Sequence, residues 1–213
     1  TFQERGVHSL VSGNLMDVCP VGAITTRDYR FKSRPWDNPI AVDTTCTMCS
    51  KGCNTTAWLK ANPEWAKGAR LIRITPRCNA DVNSYWMCDI GRFQYHWVES
   101  DARLTTPLVR QRSGAQAAAT WPGALARLAE HVRPVLQTDA AAFRVLVSAH
   151  ASHEELFLVS GLVQKTQGPG AARRVDVSWA TSDKSQPART KFTVPTVDAP
   201  NVAGARAFGF NVP

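Results

Sequence analysis

Hydrophobic side chains recur at helical spacing in the second half of the chain. After Thr120, apolar residues repeat every three or four positions, which predicts a helix. These positions are Leu125, Leu128, Ala129, Val132 and Leu136. Thr120 is a good N-cap and Pro122 suits the first helical turn, whereas Pro134 should end or bend the helix.

The stretch that follows reads as strand, helix and strand. FRVLVSA (143–149) and RVDVSW (174–179) are short apolar runs that fit buried strands. Between them, Ser152 and Glu155 form a capping box, and Gly168 stands where a helix C-cap belongs. The apolar face of this helix comprises Leu156, Val159, Leu162 and Val163. The order predicts a βαβ unit with parallel strands, and one such unit cannot cover its own sheet.

Earlier in the chain the apolar runs are shorter. TTAWLKA (55–61) and ARLIRIT (69–75) flank the turn-forming stretch NPEWAKG, which predicts a β-hairpin. The first 40 residues contain no periodic run long enough for a core, and Pro35 and Pro39 mark a linker after them.

These patterns predict three parts and a fold class of α+β followed by α/β. Residues 1–40 form a loop-rich region, residues 41–110 a small β-rich module, and residues 111–213 a partial α/β domain. No apolar run reaches the length of a membrane-spanning helix. Neither end reads as a natural terminus, so we expect both ends to be cut or to continue in another polypeptide.

Charge and composition reduce the number of possible functions. The net charge is +8, from 25 Lys and Arg against 17 Asp and Glu. The basic residues are scattered rather than grouped in a tract, which favours a basic subunit of a larger assembly over a nucleic-acid surface. The sequence contains no nucleophile–base pair, phosphate loop or dinucleotide fingerprint, so we expect no complete active site in this chain.

Four cysteines have the spacing of a metal-binding set. Cys46, Cys49 and Cys53 lie in C-T-M-C-S-K-G-C, and Cys88 follows the predicted hairpin. Three closely spaced thiolates can wrap one face of a cubane cluster, with Gly52 allowing close backbone approach and the hairpin returning the fourth ligand. The pattern favours a [4Fe–4S] cluster. Tetrahedral Zn²⁺ is the alternative, although structural zinc sites usually use two C-x-x-C pairs, and inert thiols are a third possibility.

Other residues near this motif carry weaker signals. Basic residues near it in sequence would raise a cluster's potential if they are also near it in space, and would otherwise be surface charges. They are Lys51, Arg70, Arg73, Arg77 and Arg92. Cys78 has no partner of its own and reads as a free structural thiol. The five histidines show no ligand spacing, so we assign a metal to none of them.

Cys19 stands apart from the other cysteines and precedes a proline. A Cys-Pro of this kind supplies the last ligand in ferredoxin-type motifs. No C-x-x-C-x-x-C precedes Cys19 here. From the residues alone it is therefore either an unligated thiol or a ligand whose companions lie elsewhere.

These segments together resemble the G-type large iron–sulfur subunit of bacterial respiratory complex I, the NADH:quinone oxidoreductase. SGNLMDVCPVGAITTRDYRFKSRPWD resembles the end of its ferredoxin-like region. TCTMCSKGCNTTAW and ITPRCNADVNSYWMCDIGRFQY resemble its [4Fe–4S] module of molybdopterin-oxidoreductase type. DAPNVAGARAFGF resembles its degenerate molybdopterin-type domain. The resemblance covers nearly all of the chain, which reads as a fragment of that subunit.

The resemblance implies one complete and one partial cofactor site. Cys46, Cys49, Cys53 and Cys88 would hold a [4Fe–4S] cluster that is found in many bacterial members and is absent from mitochondrial ones. In the family this cluster lies away from the main electron path, which is compatible with a structural role. Cys19 would be the fourth ligand of a second [4Fe–4S] cluster whose other ligands are not in this chain.

The resemblance also implies a function and partners. The chain would relay electrons from NADH and flavin toward quinone as one subunit of a respiratory translocase. NADH oxidation and quinone reduction would occur on partner subunits. The partners would be the flavin- and NADH-binding subunit and the downstream iron–sulfur subunits. Together they would form a peripheral arm on the cytoplasmic face of the bacterial inner membrane, and this chain would not insert into the membrane itself.

Two alternatives remain. The first is a fragment of a catalytic molybdopterin oxidoreductase, such as a formate dehydrogenase. Those relatives typically carry C-x-K-G-R after the last ligand, with the lysine between cluster and pterin. This chain has C-D-I-G-R, with Ile90 in place of that lysine, which argues against electron transfer to a pterin. The second alternative is a structural zinc-binding interaction module.

Overall fold

The computed structural model describes residues 6–213 and divides into two compact units. The first contains the described residues up to Ser100 together with 179–200, and the second contains 101–178 and 201–213. The predicted boundaries near residues 40 and 110 stay predictions, and the first five residues of the predicted 1–40 region lie outside the described part. The two units differ from the predicted parts at one segment: residues 179–200 lie in the predicted third part but pack in the first unit.

The first unit contains a three-stranded antiparallel sheet of order β1-β2-β3. The strands are β1 (Ile40–Thr45), β2 (Asn54–Leu59) and β3 (Leu71–Pro76). The predicted hairpin is confirmed as β2 and β3, and β1 adds an edge strand that the apolar pattern did not indicate. The indole Nε1 of Trp58 donates to Thr75 Oγ1 at 2.8 Å across the hairpin.

Three short helices lie in the first unit around this sheet. They are α1 (Asn14–Val18), α2 (Arg27–Arg30) and α3 (Asp89–Phe93). Thr26 caps α2, its hydroxyl accepting from the Tyr29 N–H at 3.0 Å. Tyr29 then packs with Ala66 and Ile72 in a small core. The region predicted to be loop-rich therefore contains two single-turn helices.

The second unit contains the predicted βαβ arrangement. Strand β6 (Val145–Ser148) pairs in parallel with β7 (Val175–Ser178), and α5 (His153–Gln167) joins them. The capping box and the glycine C-cap of α5 are both present. A separate hairpin, β4 (Leu108–Arg110) with β5 (Gln116–Ala118), precedes this unit's long helix.

Helix α4 (Trp121–Asp139) begins as predicted, with Thr120 capping it, and it continues through Pro134, so of the two effects predicted for this proline the end of the helix does not occur. The apolar face predicted for α5 is wrong in part. In α5 the buried side chains are Leu156, Ser160 and Val163, whereas Leu162 is 56% exposed. A short helix, α6 (Val202–Ala207), ends the unit.

Single-turn 3₁₀ segments complete the secondary structure. They are Pro35–Asp37, Pro63–Ala66, His96–Glu99, Ala140–Ala142 and Ala171–Arg174. Within residues 6–213, no helix has both the length and the apolar character needed to cross a membrane. The molecule is thus a mixed α/β protein with small antiparallel sheets and one parallel strand pair.

Candidate metal centre

Three of the four motif cysteines lie in the turn that joins β1 to β2. Cys46 follows the last residue of β1, Cys53 precedes the first residue of β2, and the N–H of Cys46 donates to the carbonyl of Cys53 at 2.8 Å. Gly52 has a φ of 63°, in the left-handed region that glycine adopts without strain. The same turn carries Cys49, whose side chain is buried.

Cys88 joins them from the other side of the hairpin. It occupies the N-cap position of α3 and packs in the same buried cluster as Cys53. At Gly91, one turn into α3, an added Cβ would lie 2.7 Å from the Sγ of Cys46. The helix that carries Cys88 therefore lies directly against the cysteine turn.

A connection rich in hydrogen bonds brings the chain from β3 to Cys88. Asn83 is 2% exposed, and its side-chain oxygen accepts from the N–H of Asn54 at 2.9 Å. Its amide nitrogen donates to the carbonyls of Arg77 at 3.2 Å and Trp86 at 3.1 Å. Since Asn54 follows Cys53, this one side chain fixes the path to Cys88 relative to the cysteine turn. No sequence pattern singled out Asn83.

The cysteine site is shielded by apolar residues from distant parts of the chain. Cys49, Cys53 and Cys88 are each about 5% exposed or less. Phe192 and Val194 are buried with Cys53 and Cys88 in a single cluster. The partly buried side chains around this cluster are Leu10, Val11, Cys46 and Ile90. Ile90 thus forms part of the apolar wall at the position where the molybdenum relatives were expected to carry lysine.

The four thiols influence one another electrostatically. Burial raises the pKa of Cys53 to about 12 and that of Cys46 to about 11, and the neighbouring cysteines add to both shifts. Burial also raises the pKa of Cys49, to which Cys88 contributes. Buried thiolates that face a shared space repel one another, so the set favours deprotonation only when a cation lies among the sulfurs.

The donor set has the chemistry that a [4Fe–4S] cluster takes, namely four cysteine thiols. Among the described residues, no group of three Cys, His, Asp or Glu side chains is arranged to hold a single metal ion. Four sulfurs around one Zn²⁺ would lie about 3.8 Å apart, given a Zn–S bond of roughly 2.3 Å. In a cubane each thiolate binds a different iron, so the four sulfurs are spaced more widely.

The basic residues named from the sequence have different environments. The Lys51 ammonium lies 4.8 Å from the centre of the Phe192 ring and lowers the pKa of Cys53 slightly against the larger effect of burial. Arg73 instead lies over the rings of Tyr29 and Trp58. The other predicted neighbours are engaged elsewhere: Arg77 with Asp43, Arg92 with Asp17, and the backbone of Arg70 with Glu99.

Cys19 lies at the C-cap of α1, outside the cysteine cluster. The backbone N–H of Ile24 lowers the pKa of its thiol most, and the N–H groups of Ala23, Val21 and Gly22 lower it further. The same loop lines a cavity of about 920 Å³ in the first unit. A loop that directs several N–H donors at one sulfur stabilises its thiolate, which is the form that binds metals.

The segment that carries Cys19 is bonded to the helix that carries Cys88. The side chain of Asn14 donates to the carbonyl of Met87 at 2.9 Å and accepts from its N–H at 3.2 Å. The Arg92 guanidinium contacts Asn14 at 3.1 Å and Asp17 at 3.2 Å. Asp89 accepts from the Gly13 N–H at 2.8 Å. None of these contacts was identified from the sequence, because each one spans a long stretch of chain.

Cys78 is exposed and does not belong to the buried cluster that contains Cys53 and Cys88. Its thiol hydrogen-bonds with Tyr85 and raises the pKa of that phenol. Nothing in its surroundings resembles the shielded environment of the other four, so its expected role as a free thiol stays a prediction.

Comparisons with known proteins identify proteins to which this chain is similar. Residues 65–96 match the family model described as NADH-ubiquinone oxidoreductase NDSU1/NuoG-like, 4Fe-4S domain. This match contains the end of the hairpin, Cys88 and α3.

Three curated proteins are similar over longer stretches. NADH-quinone oxidoreductase subunit 3 of Thermus thermophilus is 36% identical over 79% of this chain and 21% of its own length. The G subunit of the NADH-quinone oxidoreductase of Streptomyces coelicolor is 41% identical over 55% of this chain and 13% of its own length. The mitochondrial NADH-ubiquinone oxidoreductase 78 kDa subunit of Candida albicans is 32% identical over 78% of this chain and 21% of its own length. The chain spans about a fifth or less of the length of these relatives. The chain is homologous to one part of these NADH-quinone and NADH-ubiquinone oxidoreductase subunits.

Proposed function

We propose that this chain is an iron–sulfur electron-transfer part of an NADH:quinone oxidoreductase. Its cofactor is a [4Fe–4S] cluster, and its ligands are Cys46, Cys49, Cys53 and Cys88. The observation that carries the proposal is the single buried site formed by these four thiols, part of which matches a 4Fe-4S family model.

The residues around the thiols have defined tasks in this function. When bound, the cluster accepts and releases single electrons. The apolar wall of Phe192, Val194 and Ile90 keeps water from the sulfurs, and water exclusion and nearby charge are what a protein uses to set a cluster's potential. The two turns that carry the cysteines hold the thiols at fixed positions, so loss or gain of an electron requires little rearrangement.

Cys19 is proposed as one ligand of a second [4Fe–4S] cluster, with the remaining ligands supplied from outside this chain. Two observations support this role: the N–H groups that stabilise its thiolate, and the cavity beside it. Neither observation identifies the companion ligands.

The proposed setting is a respiratory complex of the kind named for the relatives. The partners are the other peripheral-arm subunits, namely the flavin- and NADH-binding subunit and the downstream iron–sulfur subunits. The arm lies on the cytoplasmic face of the bacterial inner membrane. The α/β unit is proposed to be part of a degenerate molybdopterin-type domain, and the apolar side chain of Ile90 supports the view that it receives no electrons through a lysine.

A metal and sulfide analysis tests the proposal. The chain is purified without oxygen, iron, acid-labile sulfide and zinc are measured per chain, and an EPR spectrum is recorded after reduction. We expect about four irons and four sulfides. Cys88→Ala should abolish this cluster, whereas Cys19→Ala should leave it intact because Cys19 lies in a different loop. Cys78→Ala is the matched control, since it removes an exposed thiol. Stoichiometric zinc, or a folded chain that binds no metal, would contradict the proposal.

A further inference from the structure

A buried lysine lies in the segment that returns to the cysteine site from far along the chain. The side chain of Lys184 is 4% exposed, and its ammonium contacts the Asp198 carboxylate at 2.5 Å and the Pro195 carbonyl at 2.6 Å. Lysine is rarely buried to this degree unless its charge has a partner or a task. Nothing in the local sequence pattern distinguished Lys184 from the other lysines.

The segment around Lys184 is attached to the cysteine turn. Ser50, between Cys49 and Cys53, donates its N–H to the carbonyl of Val197 at 3.1 Å. Val197 also forms an antiparallel bridge with Thr181, which folds the segment back on itself. The backbone neighbour of Val197 is Asp198, so the ion pair is anchored one residue from the contact with the cysteine turn.

The same segment supplies the apolar wall of the site. Phe192 is 7% exposed and Val194 2% exposed, and both pack with Cys53 and Cys88. Gln186 exchanges two hydrogen bonds with the backbone of Val194, at 2.8 and 3.0 Å. Lys184 therefore belongs to the same segment as the two apolar residues that contact Cys53 and Cys88, and its side chain is buried, so its charge is poorly screened by water.

We propose that Lys184 is a positioning residue for the iron–sulfur site, which raises the reduction potential of the cluster through its buried positive charge and fixes the returning segment on the cysteine turn through Asp198. This inference rests on the proposed function, because it requires a cluster on the four thiols. A buried positive charge stabilises the reduced, more negative cluster relative to the oxidised one.

The chain offers a matched control in Lys60. Its side chain is 5% exposed, with a carboxylate partner, Asp37, at 3.6 Å. Lys60 follows the far end of β2, whose six residues separate it from Cys53 by roughly 20 Å at about 3.3 Å per residue. A buried lysine at that distance should affect folding but not the cluster.

The test is a redox titration of the cluster followed by EPR. It is performed on the anaerobically purified chain and on Lys184→Met, Lys184→Gln, Lys184→Met/Asp198→Asn and Lys60→Met, with iron and sulfide measured for each. Both single Lys184 variants should have a lower midpoint potential than the unmodified chain. The double variant, which removes both charges, should return toward the original potential although its segment has lost the ion pair. Lys60→Met should leave the potential unchanged.

Each outcome bears either on the proposed function or on the role of Lys184. An unmodified chain without iron and sulfide refutes the proposed function itself. A cluster of unchanged potential in either Lys184 variant refutes the role of Lys184. A double variant with the same lowered potential as the single variants refutes the electrostatic part, since a purely structural effect would not be reversed. Loss of the cluster from every Lys184 variant, with Lys60→Met intact, also overturns the electrostatic role.

Discussion

Gly91 has a tight steric requirement at the cysteine site. It lies in α3, three positions after Cys88, and the Sγ of Cys46 occupies the space that a side chain would need. Cys46 is partly buried and begins the turn that carries three of the cysteines, so its sulfur cannot move aside without displacing that turn.

Gly91→Ala should therefore disrupt the site. The added methyl would lie 2.7 Å from the Cys46 sulfur, and overpacking of this kind costs about 1–3 kcal/mol. We expect iron and sulfide per chain to fall well below those of the unmodified protein. Gly161→Ala is the control, because Gly161 is also helical and has no atom within 4 Å of the added Cβ. That variant should retain its cluster and gain about 0.5–1 kcal/mol of stability. Equal iron in the two variants would contradict the packing argument.

The spacing of the cysteines predicted that their side chains come together. It did not predict which residues surround them. The C-x-x-C-x-x-x-C turn and the return of Cys88 after a hairpin follow from local chain geometry. The structure brings the four side chains together, while their role as ligands stays a prediction. Phe192 left no local signal, because its contact with Lys51 spans more than a hundred residues. Lys184 left none either, because nothing near it in sequence indicates that its side chain is buried. Lys51 was one of five basic candidates, and sequence distance alone could not separate it from Arg73 or Arg77.

At the scale of elements, the contact between α1 and α3 joins two cysteine-bearing segments. Arg92 on α3 is 4% exposed and pairs with Asp17 on α1. Cys19 is two residues beyond Asp17, and Cys88 caps α3. The position of the Cys19 loop is therefore set by the helix that follows Cys88.

Arg92→Met should loosen α1 and destabilise the first unit. Breaking a fully buried pair costs about 3–5 kcal/mol, and the 29% exposure of Asp17 reduces our expectation to roughly 2 kcal/mol. Urea unfolding and hydrogen exchange of the α1 amides measure the two effects. Arg127→Met is the control, since its ion pair with Glu130 is exposed to solvent and should contribute little to stability. Unchanged exchange in α1 on Arg92→Met would show that the contact does not hold the helix.

Elements with a strong local pattern were predicted, whereas strand β1, which has no such pattern, was not. The hairpin of β2 and β3, the capped starts of α4 and α5, and the parallel β6–β7 pair all follow from periodicity and caps. Strand β1 was missed because it is an exposed edge strand, with no buried side chain to produce an apolar alternation. Helix α4 continues past Pro134 because a proline removes one backbone donor without forcing termination.

At the scale of the whole molecule, residues 179–200 lie within the α/β region of the sequence but pack in the unit that contains the cysteines. The sequence predicts consecutive parts because composition and pattern change along it. A segment without helix or strand periodicity gives no sign of which unit it joins. Its membership is decided by the burial of Phe192 and Val194 against the cysteines.

Truncated chains test whether residues 179–200 are needed by the cysteine unit. A chain that ends at Ser178 keeps all four cysteines and Ile90 but loses Phe192 and Val194 from the apolar wall, so it should retain little iron and lose it rapidly in air. A chain that ends at Pro200 keeps the whole cysteine unit and loses only residues of the other unit. It should hold iron and sulfide as the full chain does. Iron content per chain and the rate of bleaching in air distinguish the two, and equal retention would show that 179–200 does not protect the site.

The late position of the wall in the sequence has a consequence for biogenesis. If the four thiols bind a cluster as proposed, the ligand set is complete once Cys88 has left the ribosome, but the covering segment is made about 110 residues later. At about 5–20 residues per second, this delay is roughly 5 to 20 seconds. Until then Phe192 and Val194 are not present to cover Cys53 and Cys88. The order of synthesis would therefore allow a cluster to be inserted before the site is covered.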